Sequence, residues 1–179
     1  MKNLLYIMTL LLLVACGQEK GKESESNENP DPSYLDDQLT NEDGTINAIL
    51  SDSAAALYFQ AYERNAKDSI GPYYLMKSAD IHRHVPGKAL MAVKRYLTLV
   101  KKYPQHDLAP VAQFMTGLTF DENLNDKARA SKVYEDFLKL YPNHPMAAEA
   151  ENLLALANDS EESDLDKVHE WMKNEQEEK

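Results

Sequence analysis

The sequence predicts an all-α protein built as a short stack of helical hairpins, on three observations. From about Ser53 onward, apolar residues recur three and four apart, the spacing of one helix face. Helix breakers punctuate that pattern at Gly71-Pro72, Pro86-Gly87, Pro104, Pro142 and Pro145. The chain also repeats itself at a step of 38 residues, and a fixed period in this range means stacked supersecondary units. No stretch alternates polar and apolar residues as a half-buried strand would.

The repeat sets the register of every element. Ala92, Lys94, Tyr96, Lys101, Tyr103, Pro104, His106, Ala109, Ala112 and Leu118 each recur 38 residues later as the same residue type. The step also reaches backwards, aligning Ala54, Ala92 and Ala130, then Tyr58, Tyr96 and Tyr134, then Ala61, Leu99 and Phe137. Small residues align at Ala79, Gly117 and Ala155. Periodicity and breakers together predict helices over 53–66, 72–84, 87–103, 107–121, 126–141, 145–157 and 163–177. Asn125 and Ser163 are candidate N-caps, with Asp166 three residues after Ser163 as in a capping box. Asp43-Gly44 marks a turn.

An Ala, an aromatic residue four later, an apolar residue three beyond and then Tyr-Pro together resemble the second helix of a tetratricopeptide repeat. The small residues at Ala79, Gly117 and Ala155 resemble the site where the first helix of that repeat meets its partner closely. The resemblance covers about residues 53–158. It implies a right-handed superhelix of about three hairpins with a C-terminal capping helix, and the 38-residue step implies turns longer than in the usual 34-residue unit. The chain is similar to the BamD-type outer-membrane assembly lipoproteins and to the repeat domain of Tol–Pal-associated periplasmic proteins, though shorter than the former and without the coiled-coil start of the latter. In this family ligands usually meet the first helices. The resemblance therefore implies a partner-binding groove over Tyr73, Met76, Asp80 and Arg83, then Val111, Phe114, Leu118 and Asp121, and in a third unit Glu149, Asn152 and Leu156. Residues 34–50 or the end helix are alternative occupants of that face.

The flanks carry a different message. Residues 1–15 have one early positive charge, an apolar run from Leu4 to Val14, and Ala15 before Cys16, the layout of a secretory signal. Eleven residues span only roughly 16 Å as a helix, short of a hydrocarbon core of about 30 Å. Leu13-Val14-Ala15-Cys16 resembles the lipobox of bacterial lipoproteins. That resemblance implies cleavage before Cys16 and lipid, including palmitate-type acyl chains, on this residue. An ordinary signal peptide ending by chance in Cys is the alternative. Cys16 is the only cysteine, so no intrachain disulfide forms. Residues 16–33 hold the cysteine and an acidic, apolar-free tether. Residues 34–52 form an irregular segment, 53–158 the repeat domain, and 159–179 an acidic capping helix with Leu165, Val168, Trp171 and Met172 on one side. The net charge of −11 lies almost entirely in the flanks, and no basic tract suggests nucleic acid.

Candidate chemistry is sparse. His82 and His84 are two apart and do not share a helix face, while His106 and His144 are copies of one turn position suited to capping the next helix. No metal site, cofactor or catalytic residue is expected, since the sequence has no HExxH, GxSxG or phosphate-cradling glycine loop. The aligned tyrosines read as core. Lys94, Lys101, Lys102, Lys132 and Lys139 line the second helices. The resulting expectation is a non-enzymatic scaffold binding a protein or peptide segment of an envelope complex. It would be lipid-anchored at the outer membrane, on the periplasmic side in preference to the cell surface. The alternative is a peptidoglycan- or glycan-contacting factor that uses the lysines.

Overall fold

The computed structural model describes residues 31–159. A 3₁₀ helix, Pro32–Gln38, precedes five helices in succession: α1 Ala48–Arg64, α2 Gly71–His84, α3 Ala89–Lys102, α4 Leu108–Leu118 and α5 Lys127–Leu140. A sixth, α6, covers residues 147–159. Each helix packs on the next in the chain, and α2 also touches α4. The described residues thus form two complete hairpins, α2–α3 and α4–α5, flanked by the single helices α1 and α6. The fold is the all-α stack of helical hairpins that the periodicity predicts, with the tetratricopeptide-like architecture that the resemblance implies. The last predicted helix, 163–177, lies outside the described residues, as do the N-cap at Ser163, the signal segment, Cys16 and the tether.

Local chemistry explains the boundaries. Asn47 caps α1, its side chain accepting from the Leu50 amide at 3.2 Å. Gly71 opens α2 against the preceding turn, where a β-carbon would lie 2.5 Å from the Asn65 carbonyl oxygen, so only glycine fits. Val85 turns extended before Pro86, and Tyr103 and Tyr141 leave the helical region before Pro104 and Pro142. His106 and His144 cap as expected, each Nδ1 accepting an amide two residues on, from Leu108 at 3.1 Å and Met146 at 3.2 Å. Gly44 has φ +82°, and Thr45 N donates to the Asp43 carboxylate at 2.9 Å, giving the turn read from Asp43-Gly44.

Two expectations need correction. The cap of α5 is Asp126, which accepts from the Arg129 amide at 3.0 Å, and not Asn125, which takes the left-handed conformation at φ 49°. Asn tolerates that conformation, so the residue closes the turn instead of starting the helix. The segment 34–52 is more regular than expected: it begins within a 3₁₀ helix and ends in the first turns of α1. Leu35 anchors it in a core cluster with Ala54, Ala55, Tyr58, Ile81 and Val85.

Burial follows the repeat register. Ala54, Ala92 and Ala130 are fully buried, as are Tyr96, Tyr134, Leu99 and Phe137. Each fully buried aromatic ring stabilises by roughly 2–3 kcal/mol through burial alone. One cluster joins Tyr62, Leu75, Ala79, Tyr96 and Leu99 to Ala109 and Ala112, and the next joins Val93, Phe114, Tyr134 and Phe137 to Ala150. Core therefore runs continuously across hairpin boundaries, as in a solenoid. Ala155 departs from the pattern: its counterparts Ala79 and Gly117 are buried, but it is exposed.

Candidate functional site

The first helices α2 and α4 present a cleft of about 350 Å³ lined by Tyr58, Tyr73, Tyr74, Met76, Lys77, Asp80 and Leu108, with Asp31 and Ser33 on one lip. A second cleft of about 250 Å³ shares Lys77 and Asp80 and runs along Asp36, Leu39, Thr40 and Ile46. The N-terminal segment therefore forms a wall of the groove. Three bonds hold it there. Lys77 Nζ pairs with the Asp36 carboxylate at 2.8 Å. The Tyr58 hydroxyl donates to Asp36 at 2.8 Å, and the Tyr74 hydroxyl donates to Asp31 at 3.3 Å. Burial is the main cause that pushes both phenols above the usual tyrosine value, with the neighbouring aspartates adding to it.

The predicted groove residues divide into two groups. Tyr73, 53% exposed, stands edge-on to the His106 ring at 5.3 Å between centroids. Met76 is half-buried against the core, and Asp80 lines the cleft floor. The Tyr96 hydroxyl donates to Asp80 at 2.5 Å, and burial holds the Asp80 carboxyl above the usual carboxylate range. Val111 and Leu118 are half-buried further along α4, and Glu149, Asn152 and Leu156 lie exposed on α6.

Phe114, Asp121 and Arg83 have a different role. Phe114 is buried between the rings of Tyr134 and Phe137. Asp121 is buried in the π-helical turn Thr119–Asn123 and pairs with Lys127. Arg83 pairs with Glu122 of that turn, while Asn123 donates to the Arg83 carbonyl oxygen at 3.1 Å. Arg83, Glu122 and Asn123 tie one hairpin to the next, while Phe114 and Asp121 hold the first helix to the second within one hairpin, and none of these side chains is free to meet a partner. Counting family positions along a straight helix failed here because the count does not say which positions a neighbouring element covers: Phe114 meets the α5 rings, and Arg83 meets the π turn Thr119–Asn123.

Sequence reasoning missed Tyr74, Lys77, Leu108 and the acidic lip. Lys77 had a readable signal, since it lies four residues after Tyr73 and three before Asp80, on the same helix face. Asp31 and Ser33 had none, because they come from a segment without periodicity.

The lysines of the second helices are not equivalent. Lys132 and Lys139 of α5 lie 3.5–3.8 Å from Glu135 and Asp136, so their charge is balanced locally. Among the described residues, no group of three or more His, Cys, Asp or Glu is placed to hold a metal ion, and no helix is long and apolar enough to cross a membrane. His82 is buried, between Asp52 and Arg95, while His84 is exposed.

The chain matches no curated protein and no solved structure. Residues 111–144, from the middle of α4 through α5 to the capping histidine, match the family model of the tetratricopeptide repeat, a fold typically used to bind proteins and not to catalyse.

Proposed function

We propose that this chain is a lipid-anchored scaffold of the bacterial cell envelope that binds a segment of a partner protein in the cleft on α2 and α4. The observation that carries the reading is the cleft itself: exposed and half-exposed Tyr73, Met76 and Leu108 beside the polar side chains of Lys77 and Asp80. Apolar anchors with a few charges at the margin suit a peptide or an amphipathic helix laid in a groove. The match to a protein-binding repeat supports the same reading. The apolar start and the Leu13-Val14-Ala15-Cys16 sequence support anchoring through Cys16, and Gly17 after it, in place of the Asp that resembles an inner-membrane retention signal, favours the outer membrane.

Two experiments test these parts separately. Metabolic labelling with a palmitate analogue should mark the wild-type chain and not Cys16→Ser, and equal labelling of both would sink anchoring through Cys16. Affinity capture from the native envelope should recover a partner whose yield falls about tenfold or more with Tyr73→Ala and Met76→Ala combined, the loss of one good anchor being about 2 kcal/mol. Unchanged capture by that variant would sink the cleft assignment.

A further inference from the structure

The outer face of α3 carries a feature that the cleft does not use. Leu90, Lys94, Leu97 and Lys101 follow one another at helical spacing and form a single narrow stripe, with Met91 beside it. Leu90 is 60% exposed and Leu97 is 44% exposed. Neither Lys94 nor Lys101 makes an ion pair among the described residues. The whole of α3, ALMAVKRYLTLVKK, contains no acidic residue, in a chain whose net charge is −11.

The repeat shows that this is particular to one unit. The positions matching Leu90, Lys94, Leu97 and Lys101 on α5 are Ala128, Lys132, Glu135 and Lys139. There the lysines are balanced by Glu135 and Asp136, and no leucine occupies the stripe, the exposed Leu140 lying outside it at the end of the helix. The same place in the fold is thus neutral and polar in one hairpin, and cationic and apolar in the other.

We infer that the Leu90–Lys94–Leu97–Lys101 stripe of α3 rests on an anionic bilayer surface. Lysines at the headgroup level pair with lipid phosphates while short leucine side chains enter the boundary of the acyl region. Charge complementarity selects this occupant over a second copy of the chain, because stripe-to-stripe pairing would bring four lysines together without an acid. The inference goes beyond the cleft reading and does not need it.

Flotation of the full chain tests it, with vesicles of phosphatidylcholine containing phosphatidylglycerol and with phosphatidylcholine alone. Whatever membrane attachment the amino terminus provides on neutral vesicles serves as the baseline, so the readout is the excess on anionic lipid. The wild type should show that excess at low salt and lose it at high salt. Lys94→Gln with Lys101→Gln should reduce it roughly twentyfold, each lysine near an anionic surface contributing about fivefold. Leu90→Ser with Leu97→Ser should lower it too, while binding to neutral vesicles and the circular dichroism melt stay as in the wild type. Equal anionic excess in wild type and variants overturns the inference. So does self-association of the wild type in sedimentation equilibrium that both variants abolish, without any anionic excess, which would assign the stripe to a second copy.

Discussion

The Tyr96 hydroxyl donates to the Asp80 carboxylate at 2.5 Å, and one repeat later the arrangement is missing its acceptor. Tyr134 matches Tyr96, but Leu118 stands where Asp80 would be, and the buried Tyr134 hydroxyl has no hydrogen-bond partner among the described residues. An unmade bond at a buried donor costs about 1–3 kcal/mol. Tyr134→Phe should therefore leave stability within about 0.5 kcal/mol or raise it, whereas Tyr96→Phe should lose about 1–2 kcal/mol by stranding Asp80. Urea unfolding midpoints of the two variants decide. Equal losses would show that the two tyrosines are equivalent after all.

Gly117 and Tyr134 define a second limit. A β-carbon on Gly117 would lie within 3.0 Å of three atoms of the Tyr134 ring, while Ala79, in the same register, is accommodated beside Tyr96. Gly117→Ala should cost about 1–3 kcal/mol by overpacking, although alanine is the better helix former. Tyr134→Leu in that background should recover part of the loss. A Gly117→Ala variant more stable than the parent would contradict the close approach.

How far the sequence was legible depends on where periodicity operates. Ala54, Tyr96 and Phe137 were placed in the core by a repeat step that any sequence comparison reveals, because stacked units reuse the same packing position. The helix ends were legible wherever a proline follows, as at Tyr103 and Tyr141. The groove was only half legible. Tyr73, Met76 and Asp80 lie on regular helix, so counting worked. Phe114 lies on regular helix but is covered by the α5 rings of Tyr134 and Phe137, and Asp121 lies in the π turn, whose wider winding shifts side chains relative to an α-helical count. Asp31 and Asp36, which wall the cleft, depend on tertiary hydrogen bonds to Tyr74 and Tyr58 that no local pattern announces.

Acid should loosen the junction of α1, α2 and α3. His82 is 3% exposed, with Nε2 3.0 Å from Asp52 and Nδ1 2.5 Å from Arg95 Nη1. Arginine can only donate, so Nδ1 accepts and the single ring proton sits on Nε2, donated to Asp52. Burial first, and then the Arg95 charge, hold the imidazole below its ordinary value of 6.5, with Lys88 opposing protonation and Asp52 favouring it. The unfolded chain therefore binds a proton more readily than the folded one. The stability gained by keeping His82 neutral is complete above 6.5 and is lost as pH falls below it, with a slope of at most about 1.4 kcal/mol per pH unit. His82→Gln, which can still accept and donate, should flatten the dependence of the urea midpoint between neutral and mildly acidic pH. The same slope in wild type and variant would place the acid sensitivity elsewhere.

Tyr73 and Phe114 separate binding from folding. Both belong to the first-helix series that a straight register assigns to the groove, yet Tyr73 is 53% exposed and Phe114 is buried among Tyr134 and Phe137. Phe114→Ala should cost about 3–5 kcal/mol, as for any aromatic ring removed from a packed core. Partner capture would then fall only as far as the fraction folded falls, and a stabilising osmolyte should restore both together. Tyr73→Ala should leave the unfolding midpoint within about 0.5 kcal/mol of the parent, since a side chain this exposed and outside any buried network contributes little to stability. Its capture of the partner should fall nonetheless, and osmolyte should not restore it. The contrast is read by measuring midpoint and capture on the same preparations. Capture that tracks stability in both variants would mean that the cleft holds no partner and that Tyr73 is simply a surface ring leaning on His106.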